Sequence, residues 1–210
     1  SHDLKIEIEV CSLVTDAIER RCTIFNFVHL QSGTLQLPED ATMLELGCGD
    51  GRDSMYVSFC CVSKKNRHTD QHMSHVNNRY LASLGYFVTG VDVGPKAIKV
   101  AQNKAISRGL STNVEFLAYD ALHLPQPLIP IDFIYDNTVY CNLRLEYLEK
   151  ILAMLERITT PGRTVYMLNC GNANDAALIG GHPRLRREAI EADLGQLFDF
   201  EKVYEGVYDM

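Results

Sequence analysis

Residues 42–51, Thr-Met-Leu-Glu-Leu-Gly-Cys-Gly-Asp-Gly, constrain the fold more than any other stretch of this chain. A short β-prone run ends in glycines at 47, 49 and 51, and a helical pattern follows at once. Such a sequence suits a strand that turns sharply into a helix. Glycine takes the required backbone angles freely and presents no Cβ to a molecule lying above the turn. In open parallel sheets, turns of this kind stand at the carboxyl edge, where ligands bind beyond the strand tips.

The rest of the chain keeps the same rhythm. Strands are expected at Thr42–Leu46, Tyr86–Val91, Val114–Leu117, Ile131–Tyr135, Thr164–Asn169 and Phe200–Tyr204. Helical stretches lie between them, at Pro95–Ser107 and Arg144–Ile158. In the second, Leu145, Leu148, Ile151, Leu152 and Leu155 recur at helical spacing and give one apolar face. Pro161-Gly162 closes it. Strands separated by helices mean crossover connections, hence an α/β fold: a Rossmann-like, doubly wound, mostly parallel sheet with helices on both faces.

Residues 1–40 precede that core and read as a helical cap or lid. Val10, Leu13, Val14, Ala17 and Ile18 trace its stripe. The domain proper is expected to run from 41 to 210. Residues 57–80 break the rhythm with Cys60, Cys61, Lys64, Lys65, Arg67, His68, His72 and His75. Without them, one helix would run unbroken into Leu81-Ala82-Ser83-Leu84-Gly85, so they read as a surface insertion. Their spacing matches no common structural zinc pattern, and no metal site is expected.

The ligand's chemistry follows from the acids. A dinucleotide loop would carry a third glycine at position 52, but Arg52 stands there. Glu45 and Asp50 bracket the loop, and with Gly47, Cys48 and Gly49 they form a cradle that repels a pyrophosphate and attracts a cationic ligand. Asp92 ends the next strand, where a carboxylate accepts hydrogen bonds from a ribose diol. It lies 45 positions after Gly47; the 24-residue insertion leaves 21, near the usual offset of roughly 20. Asp120, after Val114–Leu117, is placed to accept from the amine of an adenine, with Val93 and Ala121 or Leu122 flanking the ring. Asp136 and Asn137 end the following strand beside the ligand's reactive centre. Tyr140 and Asn142 are the catalytic candidates facing an acceptor; His29, Asn169, Asn172 and His182 are further pocket candidates. Cys141 has no assignable histidine partner for covalent chemistry.

These signals, in this order, resemble the class I S-adenosylmethionine-dependent methyltransferase superfamily. The resemblance rests on Glu45–Gly51 and Gly90-Val91-Asp92 and covers roughly 41–169. It implies cofactor contacts at Glu45, Gly47, Gly49, Asp92, Val93, Asp120, Ala121 and the residues after Tyr135. It also implies methyl transfer to an acceptor heteroatom, with S-adenosylhomocysteine as the other product. Gly51-Arg52-Asp53-Ser54 and the compact length look most like the thiopurine and tellurite-resistance methyltransferases, which suggests a small-molecule acceptor, a thiol or another soft nucleophile. Members of the superfamily end with an antiparallel seventh strand. The sequence stops at Met210, so that strand is expected to be missing, or cut off, with an open sheet edge.

Composition bounds the partners. A net charge of −7 disfavours a nucleic-acid groove. The seven cysteines are odd in number and lack a CxxC, which suits a reducing, cytoplasmic setting. No run approaches the ~20 apolar residues of a membrane span. A monomer or weak dimer is expected. The competing readings are a nicotinamide-dependent oxidoreductase, an enzyme acting on protein or RNA, and a non-catalytic adenosylmethionine-binding subunit.

Overall fold

A computed structural model describes residues 5–14, 41–51, 87–137, 139–172 and 183–209. Strands β1 (Lys5–Val14), β2 (Thr42–Leu46) and β3 (Phe87–Asp92) are followed by α1 (Pro95–Ser107) and β4 (Val114–Ala118). A 3-10 turn over Ala121–His123 leads to β5 (Phe133–Asn137) and α2 (Val139–Ile158). Next come β6 (Val165–Asn172), the short β7 (Arg184–Leu185), α3 (Arg187–Leu194) and β8 (Asp199–Asp209).

The strands form one sheet in the order β4-β3-β2-β5-β6-β1-β8, with β7 on the end of β6. Every described pairing is parallel. The strand order reverses between β2 and β5, so connections leave that point in opposite directions and open a crevice at the tips.

Helices cover both faces. On one, α1 lays Ile98, Ala101 and Ala105 against Cys48, Leu110, Val114 and Phe116. Pro95 at its first turn supplies a preset φ, and Gly109, with φ 69°, takes the chain away. On the other, α2 and α3 pack Tyr140, Ile151, Met154, Leu155, Ile190 and Leu194 onto Leu44, Leu46, Ile134, Tyr166 and Leu168. A fully buried leucine or isoleucine contributes about 1.5–3 kcal/mol relative to exposure. At the amino ends of the strands, Asp132 accepts from the N–H and O–H of Thr42 and pairs with Arg163, tying β2, β5 and β6 together. Burial would raise the Asp132 carboxyl, but the hydrogen bonds from Arg163 and Thr42 outweigh it and hold it below the usual range.

Two expectations are corrected here. Residues 5–14 are not helical; they form β1, inserted parallel between β6 and β8. Among the described strands, β4 and β8 end the sheet. Helix α2 also begins at Val139, five residues before the expected Arg144. Ala17, Ile18 and the insertion 57–80 lie outside the described residues. No helix among the described residues is long and apolar enough to cross a membrane.

Candidate functional site

Above the tips of β2, β3 and β4 lies a crevice of about 540 Å³, within the usual ~300–1,000 Å³ for a small-molecule site. Gly47 lines it from β2, Val91, Asp92 and Val93 from β3, and Tyr119 to His123 from the chain after β4. Val139, Asn142, Leu143, Tyr147 and Lys150 of α2 form the facing wall.

Asp92 organises the floor. Its Oδ2 accepts from the Gly49 N–H at 3.0 Å and its Oδ1 from the Gly94 N–H at 2.7 Å. One carboxylate therefore clamps the glycine loop to the start of α1. An ionised carboxylate offers about four acceptor positions, so Asp92 keeps capacity for a ligand diol. At the other end, Asp120 accepts from Leu122 N–H at 3.0 Å and its Oδ2 lies 2.8 Å from His123 Nδ1.

The three loop glycines do different jobs. Gly47, Gly49 and Gly51 all have positive φ, at 66°, 53° and 76°. A Cβ on Gly47 would stand 2.3 Å from Val139 Cγ2, and one on Gly51 would stand 2.4 Å from Phe116 Cζ. Both glycines are demanded by the protein's own packing. Only at Gly49 would a Cβ meet nothing within 4 Å, so of the three it is the one whose bare face looks onto open space.

Of the site residues read from sequence, the crevice brings together Gly47, Asp92, Val93, Asp120, Ala121 and Asn142. Gly49, whose N–H Asp92 holds, is not among the lining residues, and five others sit elsewhere. Glu45 is buried in β2 below the loop. Cys48 packs among the α1 side chains, where burial pushes its thiol well above the ordinary range. Asp50 turns outward to an ion pair with Lys104 of α1, so its charge does not face the crevice. Asp136 is 2% exposed, its oxygens turned to the first turn of α2. Tyr140 is fully buried, and its O–H donates to Asp193 of α3 at 2.7 Å. That removes Tyr140 as an acceptor-facing catalyst: the core needs its ring and Asp193 uses its hydroxyl. The side chains of Asn137, Asn169 and Asn172, and all of His29 and His182, lie outside the described set.

Sequence reasoning missed Tyr119, His123, Leu143, Tyr147 and Lys150. Lys150 Nζ lies 5.3 Å from the Tyr147 ring centroid, at a kink where Tyr147 leaves helical geometry (φ −131°, ψ 23°). A start of α2 at Val139 would have flagged Leu143, Tyr147 and Lys150 as positions i, i+4 and i+7 on one face.

Residues 37–196 match the model of a family described as a methyltransferase domain. The chain belongs to that family. It is a methyltransferase domain with a Rossmann-like sheet. A SAM-dependent methyltransferase from Aquifex aeolicus has a similar fold: TM-score 0.56, 21% identity, covering 80% of this chain and 81% of that one. The [4+2]-cyclase SpnF also shares the fold, with TM-score 0.58, 18% identity and coverage of 83% and 57%. Ajmaline N-methyltransferase of Rauvolfia serpentina is 26% identical over 127 residues, 60% of this chain and 35% of that protein. The chain therefore spans about a third of that curated relative. In this methyltransferase domain the crevice lies beyond the strand tips, with carboxylates after two neighbouring strands.

Proposed function

We propose that the protein containing this domain methylates a small-molecule acceptor. The observation that carries the reading is Asp92, fixed through both oxygens at the crevice floor beside the open glycine. Asp92 would hold the ribose diol of the cofactor, Gly47 and Gly49 its methionine end, and Asp120 the adenine amine. Val93 and Leu122 would flank the ring. Bound there, S-adenosylmethionine supplies a methyl group already activated by its positively charged sulfur.

The protein's own contribution is alignment and exclusion of water, which together lower the barrier of a reaction whose partners must meet in line. Beside Gly47 the wall is made by Val139, Asn142 and Leu143. Two aliphatic side chains and a neutral amide suit an acceptor that reacts without passing its proton to the protein, such as a soft nucleophile already ionised near neutral pH. A thiol is the type we favour. The similarity to an N-methyltransferase supports a small acceptor while leaving its reacting atom open.

The test has two parts. Calorimetric titration with S-adenosylhomocysteine should show one site per chain. A labelled-methyl screen over thiols, halides, amines and phenols should then give its strongest transfer to a thiol. Binding without transfer to any acceptor would leave a non-catalytic subunit as the answer, and transfer to protein or RNA alone would refute the small-molecule reading.

A further inference from the structure

A buried polar chain behind the crevice wall has no part in the scheme above. Tyr166 of β6 is fully buried and stacks on Phe198, ring centroids 5.4 Å apart. Its O–H donates to Asp136 Oδ2 at 2.8 Å. The same carboxylate accepts from the Val139 N–H at 2.8 Å and from the Tyr140 N–H at 3.1 Å. These are the first N–H groups of α2, which would otherwise lack partners. Val139 is also the residue that closes on Gly47, since a Cβ there would strike its Cγ2 at 2.3 Å.

Phenol, carboxylate and helix end therefore form one line from the core to the crevice. We infer that Tyr166 is a positioning residue for cofactor binding: through Asp136 it sets where Val139 and Asn142 of α2 stand against the glycine loop. This rests on the crevice being the cofactor site.

The physics gives the inference a signature that simple core packing lacks. Among the described residues, the groups facing Asp136 are Tyr166 and Cys170 of β6 and Tyr140 and Cys141 of α2, none of them a cation. Burial raises its carboxyl to about 6, opposed by the hydrogen bonds from Tyr166 and from the backbone of Tyr140 and Val139. Protonation converts one acceptor oxygen into a hydroxyl. The amide N–H groups cannot accept its hydrogen, so the helix end loses part of its cap. Cofactor affinity should thus fall on acidification through about 6. Fold stability responds in the opposite sense. With a folded value above the unfolded one, Asp136 contributes stability that is fully present below the ordinary carboxylate range and lost as pH rises through about 6. Loss of affinity in acid is then separable from unfolding.

The experiment is S-adenosylhomocysteine titration from pH 5 to 9 on the wild-type chain, Tyr166→Phe and Asp136→Asn, with thermal melts at each pH. Phenylalanine keeps the ring and removes the donor, so the acidic limb of the binding curve should move up by about one pH unit. Affinity near pH 6.5 should drop roughly threefold, with little change at pH 8–9. Asp136→Asn still accepts through its amide oxygen, and its acidic limb should flatten. The Asp120–His123 pair is present unchanged in all three proteins and cancels in the comparison. Coincident limbs in wild type and a folded Tyr166→Phe would overturn the inference. If that variant does not melt cooperatively, an Asp136→Asn limb that coincides with the wild-type one overturns it equally. A wild type that binds no S-adenosylhomocysteine at any pH would instead refute the cofactor reading itself.

Discussion

Gly47→Ala should destabilise the glycine loop, and its cost divides into two separable parts. The first is local: alanine at φ 66° sits in the left-handed region, which costs an L-residue about 1–2 kcal/mol. The second is a contact, because the new Cβ falls 2.3 Å from Val139 Cγ2. One of them must move, and overpacking of this kind costs about 1–3 kcal/mol. The total of about 2–5 kcal/mol is a large share of the ~5–15 kcal/mol that holds a typical domain together. Val139→Ala removes the struck methyl and leaves the dihedral cost untouched. In a double-mutant cycle followed by urea unfolding, the pair should therefore show a favourable coupling of about 1–3 kcal/mol. The residual loss should match the backbone part alone. If Gly47→Ala unfolds at the wild-type urea midpoint, or if the two substitutions simply add, the close approach of α2 to the loop is wrong.

Three further outcomes follow from the same geometry. Asp92→Ala should weaken S-adenosylhomocysteine binding by roughly 1–3 kcal/mol, the range for leaving buried polar groups unpaired; an unchanged dissociation constant in calorimetry would refute the ribose assignment. Gly49→Ala adds a Cβ that meets nothing within 4 Å, so its affinity loss should exceed its stability loss, read by titration and melting on one sample. Asp132 has a folded value below its unfolded one, so its stabilisation is present above about pH 3.9 and lost as pH falls through the folded value. Arg163→Met should therefore move the acid-unfolding midpoint to higher pH, and an unmoved midpoint would count against the pair.

Much of the crevice was legible because its chemistry is local. The offset from Gly47 to Asp92, read with 57–80 set aside as an expected insertion, pointed to the second strand tip. Asp120 declared itself by following a β-rich run. What failed was anything set by packing across the sheet. Asp50 read as part of an acidic cradle, yet Lys104 lies one element away in space and takes its charge. Tyr140 read as acceptor-facing because Val139-Tyr140-Cys141 looks like strand or loop; the cap supplied by Asp136 makes it the first turn of a helix with that ring inward. The glycines read as one ligand cradle, but Val139 and Phe116 account for two of them. The amino-terminal segment failed differently. Lys5-Ile6-Glu7-Ile8-Glu9-Val10 alternates strictly, the period of a strand. That local signal was outweighed by the helical spacing of the residues after it.

The place of β1 has a bearing on how the molecule is made. Its partners β6 and β8 lie more than 150 positions later in the chain, and among the described strands β8 joins the sheet through β1 alone. During synthesis β1 emerges before both partners and must wait, unpaired, while the strands between them are built, and pairings so distant in sequence form slowly. Assembly of this side of the sheet is a late act, delayed until β8 itself has been made.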